Sequence, residues 1–267
     1  MKQKTILITG CSSGIGRFTA MKLAEENNVY ATVRNVADKL ELEKAGMSVL
    51  IGDITSVSDR KKWFESIENN AGKLNMLIHN AGICEGGVLA SISEERMEQQ
   101  FQVNVTAAAA LSTVMLPLLR QAAPSAIVHI GSISGRTSFP GIAVYGASKA
   151  ALYSLSRSLH IELAPQQIAS VYVELDSMES RIWQKGRQKA VLLGGPYKKL
   201  EQKLSASASE IRKSPEKSGL LTCIMNIDRR ANPKPLYICG RKSVFLHMIN
   251  RLFGEDNITR MMSRIFR

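Results

Sequence analysis

Short apolar runs alternate with helix-length segments along most of this chain, and that alternation constrains the fold more than any other feature. The runs are Thr5–Thr9, Val29–Val33, Ser48–Ile51, Met76–His79, Ala126–Ile130, Ala169–Glu174 and Leu236–Cys239. Several are almost wholly apolar, as parallel strands are when helices cover both faces of their sheet. Between them the spacing predicts helices over Ile15–Glu26, Ser58–Asn70, Glu94–Leu119 and Tyr145–Leu163. Such alternation specifies an α/β architecture with one doubly wound parallel sheet and helices on both of its faces.

Composition adds limits. A chain of 267 residues, 45% apolar and 22% charged, can bury a full core without disulfides, which excludes disorder and collagen. We expect residues 1–267 to form a single domain. No run of 18 apolar residues occurs, and Gly10 interrupts the N-terminal apolar run too early for a signal peptide. Cys11, Cys84, Cys223 and Cys239 have neither metal-ligand nor redox spacing. We therefore expect free thiols, no metal and a cytoplasmic location. His79, His129 and His160 show no metal spacing either and are expected to pack in the core.

Charge is unevenly placed. Met1–Ser180 carries 16 basic and 17 acidic residues, whereas Arg181–Arg267 carries 19 and 6, so the net +12 belongs to the last third. A surface of this kind attracts anionic membranes, nucleic acid or acidic substrates, or is simply solvated. It lacks the aromatic-basic pattern of nucleic-acid readers, so nucleic acid is not expected.

The strongest local signal is Thr9-Gly10-Cys11-Ser12-Ser13-Gly14-Ile15-Gly16, which follows one expected strand and opens the next helix. Glycines there permit a tight turn and close approach of backbone to a pyrophosphate, and the helix N-terminus supplies N–H groups and positive dipole. At the end of the second strand the sequence reads Val33-Arg34, with no carboxylate for a ribose 2′-hydroxyl. A guanidinium suits a 2′-phosphate, so NADP(H) is favoured over NAD(H).

Tyr145 and Lys149 stand four apart on an expected helix and so share a face. A nearby ammonium favours the tyrosinate, making Tyr145 a candidate proton donor in ketone reduction and a base in alcohol oxidation. Ser132, at a strand end, is placed to hydrogen-bond the substrate oxygen. It is not the centre of a hydrolase elbow, because the surrounding Gly131-Ser132-Ile133-Ser134-Gly135 has the wrong spacing.

The glycine turn, Asp53-Ile54, Asn80-Ala81-Gly82, Asn104, Ser132 and Tyr145-x-x-x-Lys149 resemble, in order and spacing, the short-chain dehydrogenase/reductase family, closest to its hydroxysteroid and retinol dehydrogenase-like branch. The resemblance is close over Lys4–Leu163 and holds in outline beyond. It implies a Rossmann-like fold, with Asp53 and Ile54 near the adenine and Asn80, Ala81 and Gly82 beside the cofactor ribose. It also implies that Asn104, Ser132, Tyr145 and Lys149 are a catalytic tetrad, with Asn104 supporting a proton path to Lys149. Homodimers or homotetramers formed through the helix of Tyr145 and Lys149 are a further implication. The chain departs from the family after the sixth strand, where Leu175-Asp176 replaces Pro-Gly, while Ser180 keeps the hydroxyl of the family's threonine beside the nicotinamide. That departure leaves open an NADP(H)-binding regulatory or scaffold protein with weakened catalysis.

Residues 178–213 are expected to form a lid over the substrate. Its Ile182, Trp183, Val191, Leu192 and Leu193 suit an apolar alcohol or ketone, and Lys185, Arg187 and Lys189 leave room for an acidic tail on it. Residues 241–267 form an amphipathic, basic C-terminal extension. Val244, Phe245, Met248, Ile249, Leu252 and Phe253 make one apolar stripe, and Ile258, Met261, Met262, Ile265 and Phe266 make a second after Gly254, accompanied by Arg251, Arg260, Arg264 and Arg267. Such helices pack on the protein body or a second subunit, or lie peripherally on an anionic membrane.

Overall fold

The computed structural model describes residues 3–176, 191–210 and 218–265. Seven strands form one sheet: β1 (Thr5–Ile8), β2 (Asn28–Val33), β3 (Ser48–Ile51), β4 (Met76–His79), β5 (Ser125–Ile130), β6 (Ile168–Leu175) and β7 (Leu236–Cys239). Their order is β3-β2-β1-β4-β5-β6-β7 and every pairing is parallel. The order reverses between β1 and β4, so the loops after these two strands part and leave a crevice at the strands' C-terminal ends.

Each strand splits its side chains between two cores. In β1, Ile6 and Ile8 face one side with Ala20 and Leu23 of α1 (Gly14–Ala24), while Leu7 faces the other. The second core receives Trp63 and Ile67 of α3 (Val57–Ala71) and Leu111, Met115 and Leu118 of α5 (Ala107–Gln121). Strands buried on both faces must be apolar throughout, which is why their runs stand out in the sequence. A short α2 (Lys39–Lys44) precedes β3, and α6 (Ala143–Glu162) carries Tyr145 and Lys149.

Two expectations need correction. The helix expected over Glu94–Leu119 is α4 (Glu94–Phe101) and α5 joined by a π-helical turn, Gln102–Thr106. That 28-residue rod is apolar and long enough to cross a membrane by length and composition, but its apolar face is the core contact just described. Within the segment expected as a lid, the described part carries a helix that the sequence did not signal, α7 (Lys198–Glu210). Finally, Cys223 of α8 (Ser218–Asp228) and Cys239 of β7 form a disulfide, because α8 packs against β7; only Cys11 and Cys84 are free, both buried. The cysteines therefore no longer argue for a reducing compartment.

The C-terminal stripes up to Ile265 lie on α9 (Arg241–Phe253) and α10 (Glu255–Ile265), separated at Gly254, and Phe266 and Arg267 lie outside the described residues.

Candidate active site

The crevice is a cavity of about 590 Å³ lined by Gly10, Ser12, Ser13, Gly14, Ile15, Gly16, Arg34, Asp53, Ile54, Asn80, Ala81, Gly82, Ser132, Tyr145 and Lys149. Nearly all of the expected site residues therefore converge on one space. Asn104 stands behind the lining, and Ser180, with Ile182, Trp183, Lys185, Arg187 and Lys189, lies outside the described residues.

The glycine turn is cross-tied. Gly10 has φ of +73°, and a Cβ there would come within 2.9 Å of the Ala81 Cα; one on Gly16 would lie 2.2 Å from Asn80 Nδ2. Glycine at both positions lets the β1 and β4 loops touch. Asn80 Nδ2 donates to the carbonyls of Thr9 (2.8 Å) and Gly10 (3.1 Å), and the Thr9 hydroxyl accepts from the amides of Asn80 and Ala81, both at 3.0 Å. Thr32 Oγ1 accepts from Gly10 N at 3.1 Å. Thr9 and Thr32 were not singled out from sequence, where a strand-end threonine gives no signal of its partners.

This end fits a nucleotide's phosphates. No side chain caps the N-terminus of α1, and its first turn holds no acidic residue. Its N–H groups thus face the cavity with their dipole uncompensated. Arg34 lies close enough to Asp53 to act on its carboxyl; burial raises that pKa, but hydrogen bonds from Thr55 (2.9 Å from N, 2.7 Å from Oγ1) and the Arg34 charge outweigh it and hold Asp53 below its ordinary value.

At the other end, Tyr145, Ser132 and Lys149 are all buried. The Tyr145 hydroxyl is hydrogen-bonded to the Ser132 side chain, and burial, reinforced by Cys84 nearby, pushes its pKa well above the ordinary phenol value. Lys149 Nζ lies 5.8 Å from the centroid of the Tyr145 ring and donates to the Ile130 carbonyl at 2.9 Å. Burial draws its pKa down to about 8. From sequence the ammonium is expected to lower the tyrosine pKa; in this site desolvation dominates, and the phenol is neutral.

Asn104 comes from the π-turn, whose extra residue turns it off the helix line. Its Oδ1 accepts from Ile83 N at 2.8 Å, and Nδ2 donates to Ile83 O at 2.9 Å and Ser148 Oγ at 3.0 Å. It thus grips α6 one residue before Lys149 and stands close to the Cα of Gly82, where a Cβ would lie 3.2 Å from Asn104 Oδ1 and 3.8 Å from Lys149 Nζ.

Tyr172 is a site residue that sequence reasoning missed. Its hydroxyl accepts from Ser132 N at 3.0 Å and donates to Ser132 O at 3.2 Å, pinning that backbone; its ring fills the space a Cβ on Gly131 would need, at 2.0 Å. Leu175 and Asp176 also line the cavity. The Asp176 side chain lies against Gly240, where a Cβ would approach Asp176 Cβ to 2.4 Å. Gly240 is therefore what makes room for a side chain at the position where the family has glycine.

His79 and His129 stack at 5.0 Å between centroids in paired strands and bond to Ser112 and Ser170, so they are packed core groups as expected. His160 likewise bonds to the Ser170 carbonyl. Among the described residues no group of three or more His, Cys, Asp or Glu could hold a metal ion.

Comparison with known proteins agrees with this geometry. The family model for short chain dehydrogenases matches residues 4–190. An oxidoreductase of Bacillus subtilis, YusZ, is 30% identical over 226 residues, covering 82% of this chain and 81% of its own. A 3-ketodihydrosphingosine reductase of Bacteroides thetaiotaomicron is 33% identical over 175 residues, 65% of this chain and 64% of its own. Among solved structures, a short-chain dehydrogenase of Sphingobium yanoikuyae in complex with NADPH superposes with a TM-score of 0.72 at 25% identity, over 99% of this chain and 96% of that one. A short-chain dehydrogenase of Streptomyces avermitilis shares the fold with a TM-score of 0.82 at 24% identity, over 98% of each chain. With a cross-tied dinucleotide turn, a buried Ser–Tyr–Lys group and a family match over most of its length, the chain belongs to the short-chain dehydrogenase family of oxidoreductases.

Proposed function

We propose that this chain uses NADP(H) to interconvert a carbonyl and an alcohol on a mostly apolar, lipid-like substrate of the steroid or retinoid kind. The observation that carries the reading is the buried hydrogen bond between Tyr145 and Ser132, beside Lys149, in the same cavity as the glycine turn and Arg34. A bound nicotinamide dinucleotide supplies the hydride to the carbonyl carbon. As negative charge grows on the oxygen, Ser132 donates a hydrogen bond and Tyr145, held neutral by burial, transfers its proton, leaving the alcohol. The Lys149 ammonium offsets the tyrosinate left behind. Tyr172 fixes the backbone of Ser132, and Asn104 holds α6 through Ser148.

The preference for NADP(H) is supported by Arg34 at the end of β2 and by the NADPH complex of the Sphingobium relative. A relative whose name gives it a ketone substrate, 3-ketodihydrosphingosine, supports the carbonyl class. Assembly as a homodimer or homotetramer through α6, in the cytoplasm, completes the reading. The rival, a cofactor-binding regulator or scaffold with weakened catalysis, draws on Asp176 in the cavity wall; the room that Gly240 leaves for that side chain weakens it. Consumption of NADPH and of NADH across ketones, aldehydes and quinones, steroids and retinoids included, tests the proposal. We expect turnover of apolar carbonyls with NADPH, and binding of NADPH without turnover of any carbonyl would select the rival.

A further inference from the structure

We propose that α9 and α10 form a docking surface for an anionic lipid bilayer, beside the path by which substrate reaches Tyr145. The route for substrate rests on the oxidoreductase reading; the docking does not.

Val244, Phe245, Met248 and Leu252 are exposed, Leu252 by 74% and Phe245 by 62%. Their spacing puts them on one face of α9, while buried Ser243 and half-buried His247 hold the helix to the body. In α10, Ile258 is buried, whereas Met261 and Ile265 are exposed. Monomeric proteins seldom leave such a patch bare without a partner.

Charge selects the occupant. Residues 241–267 hold six basic and two acidic residues, and Arg260 and Arg264 are exposed. A second copy of the same face would set like charges against one another. Nucleic acid would use the cations but has no need of bare Leu252, Met248 and Phe245. An anionic bilayer uses both, with cations at the headgroups and apolar side chains below them.

The surface is joined to the segments that flank the Tyr145 helix. Lys203 Nζ of α7 donates to the Ile265 carbonyl at 2.7 Å, closing the end of α10. Leu204, next to it, lies where a Cβ on Gly141 would be, 2.6 Å from Leu204 Cδ1, four residues before Tyr145. From α9, His247 Nδ1 lies 2.9 Å from the Arg136 guanidinium, which pairs with buried Glu174 at 3.2 Å. On the oxidoreductase reading, these contacts set the docking face beside the segment that precedes Tyr145, and an apolar substrate dissolved in lipid would approach from that side.

The test is co-sedimentation of the full chain with phosphatidylglycerol/phosphatidylcholine vesicles, and with phosphatidylcholine alone, at low and high salt. We expect binding to the anionic vesicles only. Arg260→Glu with Arg264→Glu should weaken it by about 25-fold or more at low salt, at roughly fivefold per cation. Leu252→Ser with Phe245→Ser should weaken it at every salt concentration. Turnover of a water-soluble ketone should be unchanged in both variants, which shows that they fold. The proposal is overturned if the intact chain ignores anionic vesicles at low salt. It is equally overturned if the apolar pair leaves vesicle binding unchanged, if that pair instead dissociates an oligomer in light scattering, or if DNA competes the protein off the vesicles while apolar substitutions do nothing. Vesicle binding without turnover of any carbonyl would sink the oxidoreductase reading and leave the docking surface standing.

Discussion

The cofactor half of the molecule and its C-terminal third use apolar residues in opposite ways. Up to β6 the large apolar side chains mostly disappear into two cores, and the polar groups at the strand ends are tied to one another, as Thr9 is to the Asn80-Ala81 loop. In α9 and α10 the apolar stripes are just as regular, yet one face of each stays in solvent. Periodicity alone therefore identifies a helix but does not say what its apolar face meets. The first half spends its order on holding a small group of reacting atoms, and the last third offers a surface.

The largest effect expected of a single substitution is at the phenol. Tyr145→Phe should leave folding and NADPH binding intact while lowering turnover about 10²- to 10⁴-fold, the range for a positioned acid; single-turnover kinetics beside a cofactor titration would measure both. Unchanged turnover would remove Tyr145 from the mechanism. Leu111, fully buried in the second core, should lose about 2–5 kcal/mol of stability on replacement by Ala, measured by urea unfolding.

Acid should act on the cofactor half through its buried histidines. Desolvation, with Lys149 adding to it, lowers the His129 pKa to about 3, well under its unfolded value near 6.5. In the interval between those values the unfolded chain binds a proton that the native one does not, so stability is present above the interval and falls with pH within it. We expect stability about 2–3 kcal/mol lower at pH 4.5 than at pH 7.5 from this group alone. His129→Gln should flatten the slope by that amount, and an identical slope in the variant would exclude this residue as its source. A somewhat smaller effect is expected at Arg34. Arg34→Ala should weaken NADPH by roughly 10- to 150-fold and NADH little, from loss of a charge-assisted hydrogen bond; equal weakening of both would make Arg34 structural. The smallest effect is the counterpart of Leu111: Leu252→Ala, in the bare stripe, should change stability by less than about 0.5 kcal/mol. A loss as large as that at Leu111 would mean that the two regions do not differ and that α9 is core.

The same contrast explains what could be read from the chain alone. All seven strands were legible, because a strand covered on both faces cannot alternate and shows as a solid apolar run. The glycine turn and the Tyr145–Lys149 pair were legible because chemistry fixes their local spacing. What was hidden depends on tertiary contact. The π-turn that aims Asn104 looks like ordinary helix in sequence, since one extra residue per turn leaves no compositional mark. Tyr172 sits in an apolar strand as any buried aromatic would, and only its hydroxyl on Ser132 reveals its role. The space that Asp176 occupies depends on Gly240, 64 residues later and one strand over. The Cys223–Cys239 bond likewise depends on how α8 packs against β7. The α7 helix hid in a polar, serine-rich stretch without a strong apolar stripe.

On the proposed function, this cavity holds a nicotinamide so that its hydride passes to a carbonyl carbon. The most direct measurement is transfer of label from NADPH deuterated at C4 of the nicotinamide, one face at a time, with product analysed by mass spectrometry and NMR. One deuterium is expected at the new carbinol carbon from one face of the cofactor and none from the other. Product without label from either face, or NADPH bound tightly while every carbonyl is returned unchanged, would contradict it.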